Sequence, residues 1–351
     1  MPQRMFRRWP VRARLCKWHI GLGACSRINI LSNLNTIAFI CMPNDRPPSL
    51  DPIAARRWAH LPWDGSNKAE SVDSPWLHEE VARRMAERLP YIRLQPQSWA
   101  FWNPVRAGLN ALALLQKTYP NAQGHLTADR QGEAEWVKAK ASPPWWKPQA
   151  WGRQRLQTGA IATNSMDMVW ANMLLHQQAS PQELLAEWHR VLAVDGFLMF
   201  SCLGPDTLKE LRSVYAAQNW PMPAHEFTDM HDWGDMLVHA GFAEPVMDME
   251  KISLTYVNSE KLVEDLRKLG RNFHVSRFAG LRGKNWYKNF HQALLSLAQK
   301  DSEGRLVLTF EVVYGHALKP QPRIKVDSQS RIGLDDMRQM LRNPQKKSNQ
   351  V

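Results

Sequence analysis

Residues 165–206, SMDMVWANMLLHQQASPQELLAEWHRVLAVDGFLMFSCLGPD, constrain the fold more than any other stretch, because they read as one strand, helix, strand unit. Asp167 to Ala171 is short and apolar, as a strand covered on both faces tends to be, and it runs into the polar residues Asn172 and His176. Ser180, Pro181 and Glu183 mark a helix start: an N-cap, a proline at the first helical position and a capping-box acid. Leu184, Leu185, Trp188, Val191 and Leu192 recur at helical spacing, which predicts one stripe on the sheet with Glu187, His189 and Arg190 facing away. The helix is predicted to end near Ala193. Asp195-Gly196 then makes a turn, and Phe197 to Cys202 forms the next buried strand, broken at Gly204-Pro205. The two strands are expected to be parallel neighbours. Ligands of open α/β sheets bind beyond the carboxyl ends of the strands, so Asn172 and His176 are candidates for a site. Simple capping of the strand end is the competing reading.

On these residues the unit resembles strands four and five, with the helix between them, of a class I S-adenosylmethionine-dependent methyltransferase. The run FSCLGPDTLKELR, Phe200 to Arg212, is similar to the branch containing the malonyl-acyl-carrier-protein O-methyltransferases of biotin synthesis. It also resembles mitochondrial complex I assembly proteins with a methyltransferase fold. The resemblance covers roughly Asp51 to Pro320, more strongly in the second half. It implies an α/β, Rossmann-like fold: a mostly parallel seven-stranded sheet with helices on both faces and an antiparallel final strand. It also implies S-adenosylmethionine as cosubstrate and no metal.

A chain of 351 residues suffices for one large α/β domain with tails, and an apolar share of 44% is ordinary for a globular protein. The domain is expected over 51–320, flanked by a basic, poorly ordered extension over 1–50 and a basic tail over 321–351 with one short amphipathic turn, LDDMRQMLR. No window has the apolar length that spans a bilayer. Cys16, Cys25, Cys41 and Cys202 show no paired short spacing of the zinc-binding kind, and reduced thiols in a cytoplasmic protein are the simplest account. The 16 tryptophans are read chiefly as packing, with stacking on an adenine as the functional alternative.

Much of the net charge of +12 lies in Arg4, Arg7, Arg8, Arg12, Arg14, Lys17 and Arg27, with no acid before Met42. Three readings stay open for that segment: an organelle-targeting peptide, the start of a secretory signal, or an extension preceding a natural start at Met42. Polar residues from Arg27 to Asn35 interrupt the apolar stretch and argue against a secretory signal. Residues 42–65 are rich in proline and arginine, with little periodicity, and read as an ordered lead-in or a loose arm.

Ser74-Pro75 opens a helix with Leu77, Val81, Met85 and Leu89 on one stripe. In the resembled branch such a helix helps cover the cofactor; a plain packing helix is the alternative. The family's first strand ends in an acid and a glycine-rich turn, roughly D/E-x-G-x-G-x-G, where the cofactor approaches the backbone too closely for side chains. Here Phe101, Trp102, Asn103, Pro104, Val105 and Arg106 stand at the matching place, and Gly108 is the one glycine. The helix that follows is present, with Leu109, Leu112 and Leu115. The scaffold is thus expected to persist while the cradle is rewritten, so that docking needs a rearranged turn or fails. By the resemblance, Asn103, Gly108, Asp129 and Asn172 are the cofactor-binding candidates. Asp129 is the match to the acid that grips the ribose hydroxyls, with a solvated loop aspartate as the other reading. The segment ASPPWWKPQAW, 141–151, is expected to be a long surface loop, or else an aromatic lid.

Further on, a helix is predicted over Met230 to Ala240, a strand in MDMEKISLTY, a helix over Ser259 to Leu269, and a closing strand in RLVLTFEVVYGHALKP. Between Asp265 and Asp301 no acid appears, while Arg267, Lys268, Arg271, Arg277, Arg282, Lys284 and Lys288 accumulate. Such a run steers an acidic partner or is a solvated face. Arg267, Arg271 and Arg277 are the candidates for holding a substrate carboxylate or an acidic partner, for which an acyl carrier protein is the resemblance's suggestion. RNA binding rests on charge alone, and nucleic acid is not expected.

The function expected from the resemblance is a methyltransferase acting on a carrier-bound carboxylate in biotin synthesis. The alternative is a degenerate relative that has lost the cofactor and serves as an assembly or scaffold protein. A carboxylate is already an adequate nucleophile, so alignment rather than a strong base would supply the acceleration, and His176 is the candidate for orienting the acceptor.

Overall fold

The computed structural model describes residues 49–61, 74–141, 156–297 and 304–322. The expectations for 1–48, for nearly all of ASPPWWKPQAW and for LDDMRQMLR lie outside them. In chain order the elements are α1 (Pro52–Ala59), α2 (Trp76–Ala86), β1 (Ser98–Trp102), α3 (Ala111–Thr118), β2 (Gln123–Thr127), α4 (Glu133–Ala141), β3 (Leu156–Thr158) and β4 (Met166–Ala171). There follow α5 (Pro181–Val191), β5 (Leu192–Leu203), α6 (Lys209–Ala217), α7 (Met230–His239), β6 (Ala243–Tyr256), α8 (Ser259–Leu269), α9 (Lys284–Leu294) and β7 (Leu306–Leu318).

The seven-stranded sheet has the order β3-β2-β1-β4-β5-β7-β6. Strands β1 to β5 pair in parallel, while β7 is antiparallel to both β5 and β6. This is the Rossmann-like arrangement that the resemblance implies. The order reverses at β1/β4, so the crevice beyond the carboxyl ends of those strands is the place for a ligand.

Successive residues of the central strands face opposite cores, the consequence of a two-residue period. Trp99, Phe101, Met168, Trp170, Phe197 and Met199 enter one core with Leu77, Val81 and Met85 of α2. Ala100, Trp102, Val169, Ala171, Leu198 and Phe200 enter the other with Leu185, Trp188 and Val191 of α5. Fully burying a side chain of this size stabilises by about 1.5–3 kcal/mol. Two glycines make room for the largest rings. A Cβ on Gly315 would sit 2.0 Å from the Phe200 ring, and one on Gly124 would sit 2.4 Å from that of Trp99, each across a paired register.

Several sequence expectations shift in detail. Helix α5 stops at Val191, because Leu192 is already extended and begins β5; the buried Lys319 ammonium donates to the His189 and Leu192 carbonyls at 2.6 and 2.8 Å and to Asn164 at 2.6 Å. Cations at a helix C-terminus satisfy its orphan carbonyls. Ser180 holds the N-cap position, yet its hydroxyl makes no cap bond. His189 is half-buried, edge-on to Phe242 at 5.2 Å, instead of facing away. The lead-in arm contains α1, whose N-cap Asp51 accepts from the Ile53 and Ala54 amides at 2.9 and 3.2 Å. Helix α9 was not legible as an element in the basic run.

Candidate active site

The turn after β1 is the least family-like part of the sequence, and its structure is closely determined. Asn103 takes a left-handed φ of 49°, a conformation that asparagine tolerates better than most side chains. Its amide donates to Thr127 O at 2.7 Å, and its side chain closes a ring with Asp129: Oδ1 accepts from the Asp129 amide and Nδ2 donates to Asp129 Oδ2, both at 2.8 Å. The Val105 amide donates to Glu133 Oε1 at 3.1 Å, and the Ala107 amide to Asn103 O at 2.8 Å. Glu133 is fully buried and paired with Arg130 at 2.6 Å. Phe101 and Trp102 do not enter the crevice, because each belongs to one of the two cores.

Helix α2 is stitched onto this turn. Ser74 Oγ donates to Val105 O at 2.6 Å and accepts from the Leu109 amide at 2.8 Å, and His78 Nδ1 donates to Arg106 O at 2.5 Å. Gly108, at φ 101°, is needed for this packing, since a Cβ there would stand 3.0 Å from His78 O. Asn172, fully buried just after β4, joins the same stitch. Its Nδ2 donates to His78 O at 2.8 Å and to Ala107 O, and its Oδ1 accepts from Ser201 Oγ at 2.5 Å. Asn103 and Asp129 therefore line the crevice, whereas Gly108 and Asn172 support it from behind.

The crevice holds a cavity of about 30 Å³ lined by Trp58, His78, Asn103, Arg106, Asp129 and Gln177, among others. On its wall the Arg106 guanidinium lies over the Trp58 ring at 4.6 Å and donates to Trp58 O at 2.6 Å. Arg271 lies over the same indole at 4.7 Å. Burial lowers the Arg106 pKa to about 10, so it remains charged at neutral pH.

The cosubstrate implied by the resemblance asks for an acid at the ribose hydroxyls and a donor at the amino-acid carboxylate. Asp129 is the acid that lines the crevice. The amides of Asn103, Val105 and Ala107 already have acceptors, which leaves side-chain donors of the lining, Arg106 among them, for the second. The donor set fits the group chemically.

A second cavity, of about 280 Å³, adjoins the first. Gln177 and Leu269 line both, and Gln177 Nε2 donates to Leu269 O at 3.3 Å, forming part of the wall between them. Its floor is apolar, built from buried Leu203, Leu211, Ala224, Phe227, Phe290 and Phe310, and the exposed Arg267 and Arg271 stand at its edge. His176 and His225 also line it, both buried. Burial lowers the His225 pKa to about 4; burial and the neighbouring His78 and His225 hold His176 well below its ordinary value. His78, beside the first cavity, is likewise lowered to about 4 by burial.

The basic run is only partly available. Arg277 pairs with Asp51 at 2.8 Å, Lys268 with Glu264 at 2.7 Å, and Arg282 stacks on Phe278 and Trp286 at 4.5 and 4.0 Å. Arg267, Lys284 and Lys288 are exposed. Of the candidates for a partner, Arg267 and Arg271 reach a cavity, and Arg277 anchors α1 instead. Sequence reasoning missed Trp58, Glu133, Gln177 and His225; the Asp51-Pro52 start of α1 was the one signal pointing toward Trp58.

A family described as a methyltransferase domain matches residues 129–200. The chain is 41% identical over 270 residues to the malonyl-[acyl-carrier protein] O-methyltransferase of Gallionella capsiferriformans (strain ES-2), covering 75% of this chain and 91% of that protein. It is 40% identical over 270 residues to the protein of the same name from Laribacter hongkongensis (strain HLHK9), covering 72% of this chain and 86% of the relative. Among solved structures, the YcgJ protein of Bacillus subtilis aligns with a TM-score of 0.43 at 12% identity, over 69% of this chain and 99% of that one.

Proposed function

Because the chain belongs to the malonyl-[acyl-carrier protein] O-methyltransferase family of class I S-adenosylmethionine-dependent methyltransferases, we propose that it methylates the free carboxylate of a malonyl thioester carried by an acyl carrier protein, in biotin synthesis. The observation that carries this reading is the shared wall: an acid-bearing cavity at the switch point of the sheet adjoins an apolar cavity with arginines at its edge. The domain is read as spanning 51–320. When bound, the cosubstrate supplies an electrophilic methyl: a carboxylate oxygen forms the new C–O bond while the C–S electron pair leaves with sulfur, and no proton moves. Asp129 holds the ribose hydroxyls and Arg106 the carboxylate of the methionyl part. Asn103 keeps Asp129 in place, while Asn172 and Gly108 keep the turn and α2 together. His176 and Gln177 orient the acceptor at the wall. With a reactive electrophile and an ionised nucleophile, proximity and orientation supply most of the acceleration.

Arg267, Arg271 and the exposed lysines of α9 form the docking edge for an acidic carrier protein, and Arg277 contributes indirectly by anchoring α1. Among the described residues no helix is long and apolar enough to cross a membrane, and a cytoplasmic location accords with a pathway on a soluble carrier. A second reading, a scaffold protein without cofactor, is favoured by one observation: the turn amides are committed and Arg106 lies across the cavity. Incubation with methyl-labelled cosubstrate and malonyl-acyl carrier protein separates the two. Label in a base-labile methyl ester is expected; cosubstrate binding without transfer to any carrier-bound carboxylate would defeat the proposed reaction.

A further inference from the structure

The apolar cavity is poorly matched to a malonyl unit alone. At about 280 Å³ it has room for several times one water's share of roughly 30 Å³, and its floor is formed by leucine, valine and phenylalanine side chains. A malonyl unit has a single methylene to set against that floor. Apolar walls left without a partner forfeit dispersion contacts, so the shape and chemistry of the cavity reward additional methylenes.

The polar groups at the cavity specify the end of the chain. Gln177 Nε2 donates to Leu269 O and lies 3.1 Å from His176 Nε2, so the His176 nitrogen accepts and its proton resides on Nδ1. That N–H is buried and has no hydrogen-bond partner among the described residues. A carboxylate oxygen is an acceptor that suits it, on the side of the ring away from Gln177. On the other side, His225 Nε2 donates to His176 O at 2.7 Å, which leaves its Nδ1 a bare, buried acceptor, also without a partner. An amide N–H of a pantetheine arm complements it. Both imidazoles are needed in the neutral form, which their burial favours.

We propose that this cavity binds carboxyl-terminated acyl chains several methylenes longer than malonyl, with the terminal carboxylate on His176 Nδ1–H and the arginines at the edge facing the phosphopantetheine. This rests on the proposed carboxyl methylation and extends its acceptors from malonyl to longer dicarboxylic acyl groups.

Titration calorimetry of the full chain with the malonyl, glutaryl and pimelyl half-amides of pantetheine tests it without turnover. Affinity is expected to rise by about fourfold for each methylene that the cavity buries. Leu211→Trp, which fills the floor, and the more conservative Leu266→Phe at its half-buried side are expected to flatten that rise. Affinity that is flat or falls with length in the wild-type chain overturns the proposal. Methyl transfer from labelled cosubstrate to the corresponding thioesters is measured in parallel. Length-dependent binding with no transfer to any of them would retain the cavity's assignment and remove the methylation reading. Transfer to malonyl with length-independent binding would do the reverse.

Discussion

The two cavities that meet at Gln177 and Leu269 differ in size and in the charged groups that line them. The one at the β1/β4 switch point is about 30 Å³, and Asn103, Arg106, Asp129 and Gln177 set polar groups into a partly apolar wall. Its neighbour is about 280 Å³, with an apolar floor and cations at the edge. Polar groups specify a ligand by direction, so such a site needs few atoms and can be closed by one side chain. Apolar walls specify by shape and area, so such a site has to stay open to work. On the proposed reading, recognition of the cofactor moves from backbone to side chains here, whereas the acceptor side relies on volume.

The largest effect that separates the two sides is expected from acid. His78 borders the first cavity and His225 the second, and both have folded pKa values near 4 against an ordinary value of 6.5. The unfolded chain therefore binds more protons than the folded one between those values. Stability is full above pH 6.5, falls as pH drops toward 4, and levels off below it, with a loss of roughly 3 kcal/mol per histidine. Denaturant unfolding across that range checks this. His78→Gln and His225→Gln should each remove about half of the pH-dependent loss that the pair contributes, and an unchanged profile in either would show that cavity to be wetter than its burial implies.

Asn172→Ala comes next. It strips partners from the His78 and Ala107 carbonyls and from Ser201 Oγ, all buried, and should lower unfolding free energy by on the order of 3 kcal/mol. If instead stability holds while cosubstrate affinity falls, Asn172 touches the ligand directly and the crevice is wider than described.

How much of this was legible beforehand follows from where the information resides. The 165–206 unit, α7 and the span of α8 could be read because period, capping residues and turn residues are local signals, whereas α1, α4, β3 and α9 were not read. Phe101 and Trp102 were recognised as foreign to a glycine turn, but not as core residues, since which core a side chain enters depends on the sheet's partners. Glu133 reaches the Val105 amide across 28 residues of sequence, and no local pattern announces such a bond. Asp129 was singled out by its position after β2, beside a solvated-loop reading, and its partner Asn103 only as a neighbouring candidate. Trp58 escaped because α1 is a short helix within a proline- and arginine-rich stretch.

Smaller effects test the roles of individual cations. Arg106→Ala should weaken cosubstrate binding about tenfold or more, the range for a charge-assisted hydrogen bond, with Arg106→Lys in between. Tighter binding in Arg106→Ala would mark the side chain as a plug instead. Charge reversal of Arg267 and Arg271 together should lower kcat/KM for an acyl carrier protein by about fivefold at low ionic strength and progressively less as salt rises. An effect of equal size on a free pantetheine substrate would place these residues in the acceptor cavity instead of at the carrier's docking edge.

The central claim, that a rewritten turn still serves a cofactor through Asp129 and Arg106, is tested most directly by calorimetric titration of the full chain with S-adenosylmethionine beside Asp129→Ala. The account predicts saturable one-to-one binding to the wild-type chain, weakened by about 10- to 100-fold in the variant. No heat at millimolar cosubstrate, or equal affinity in both proteins, would contradict it.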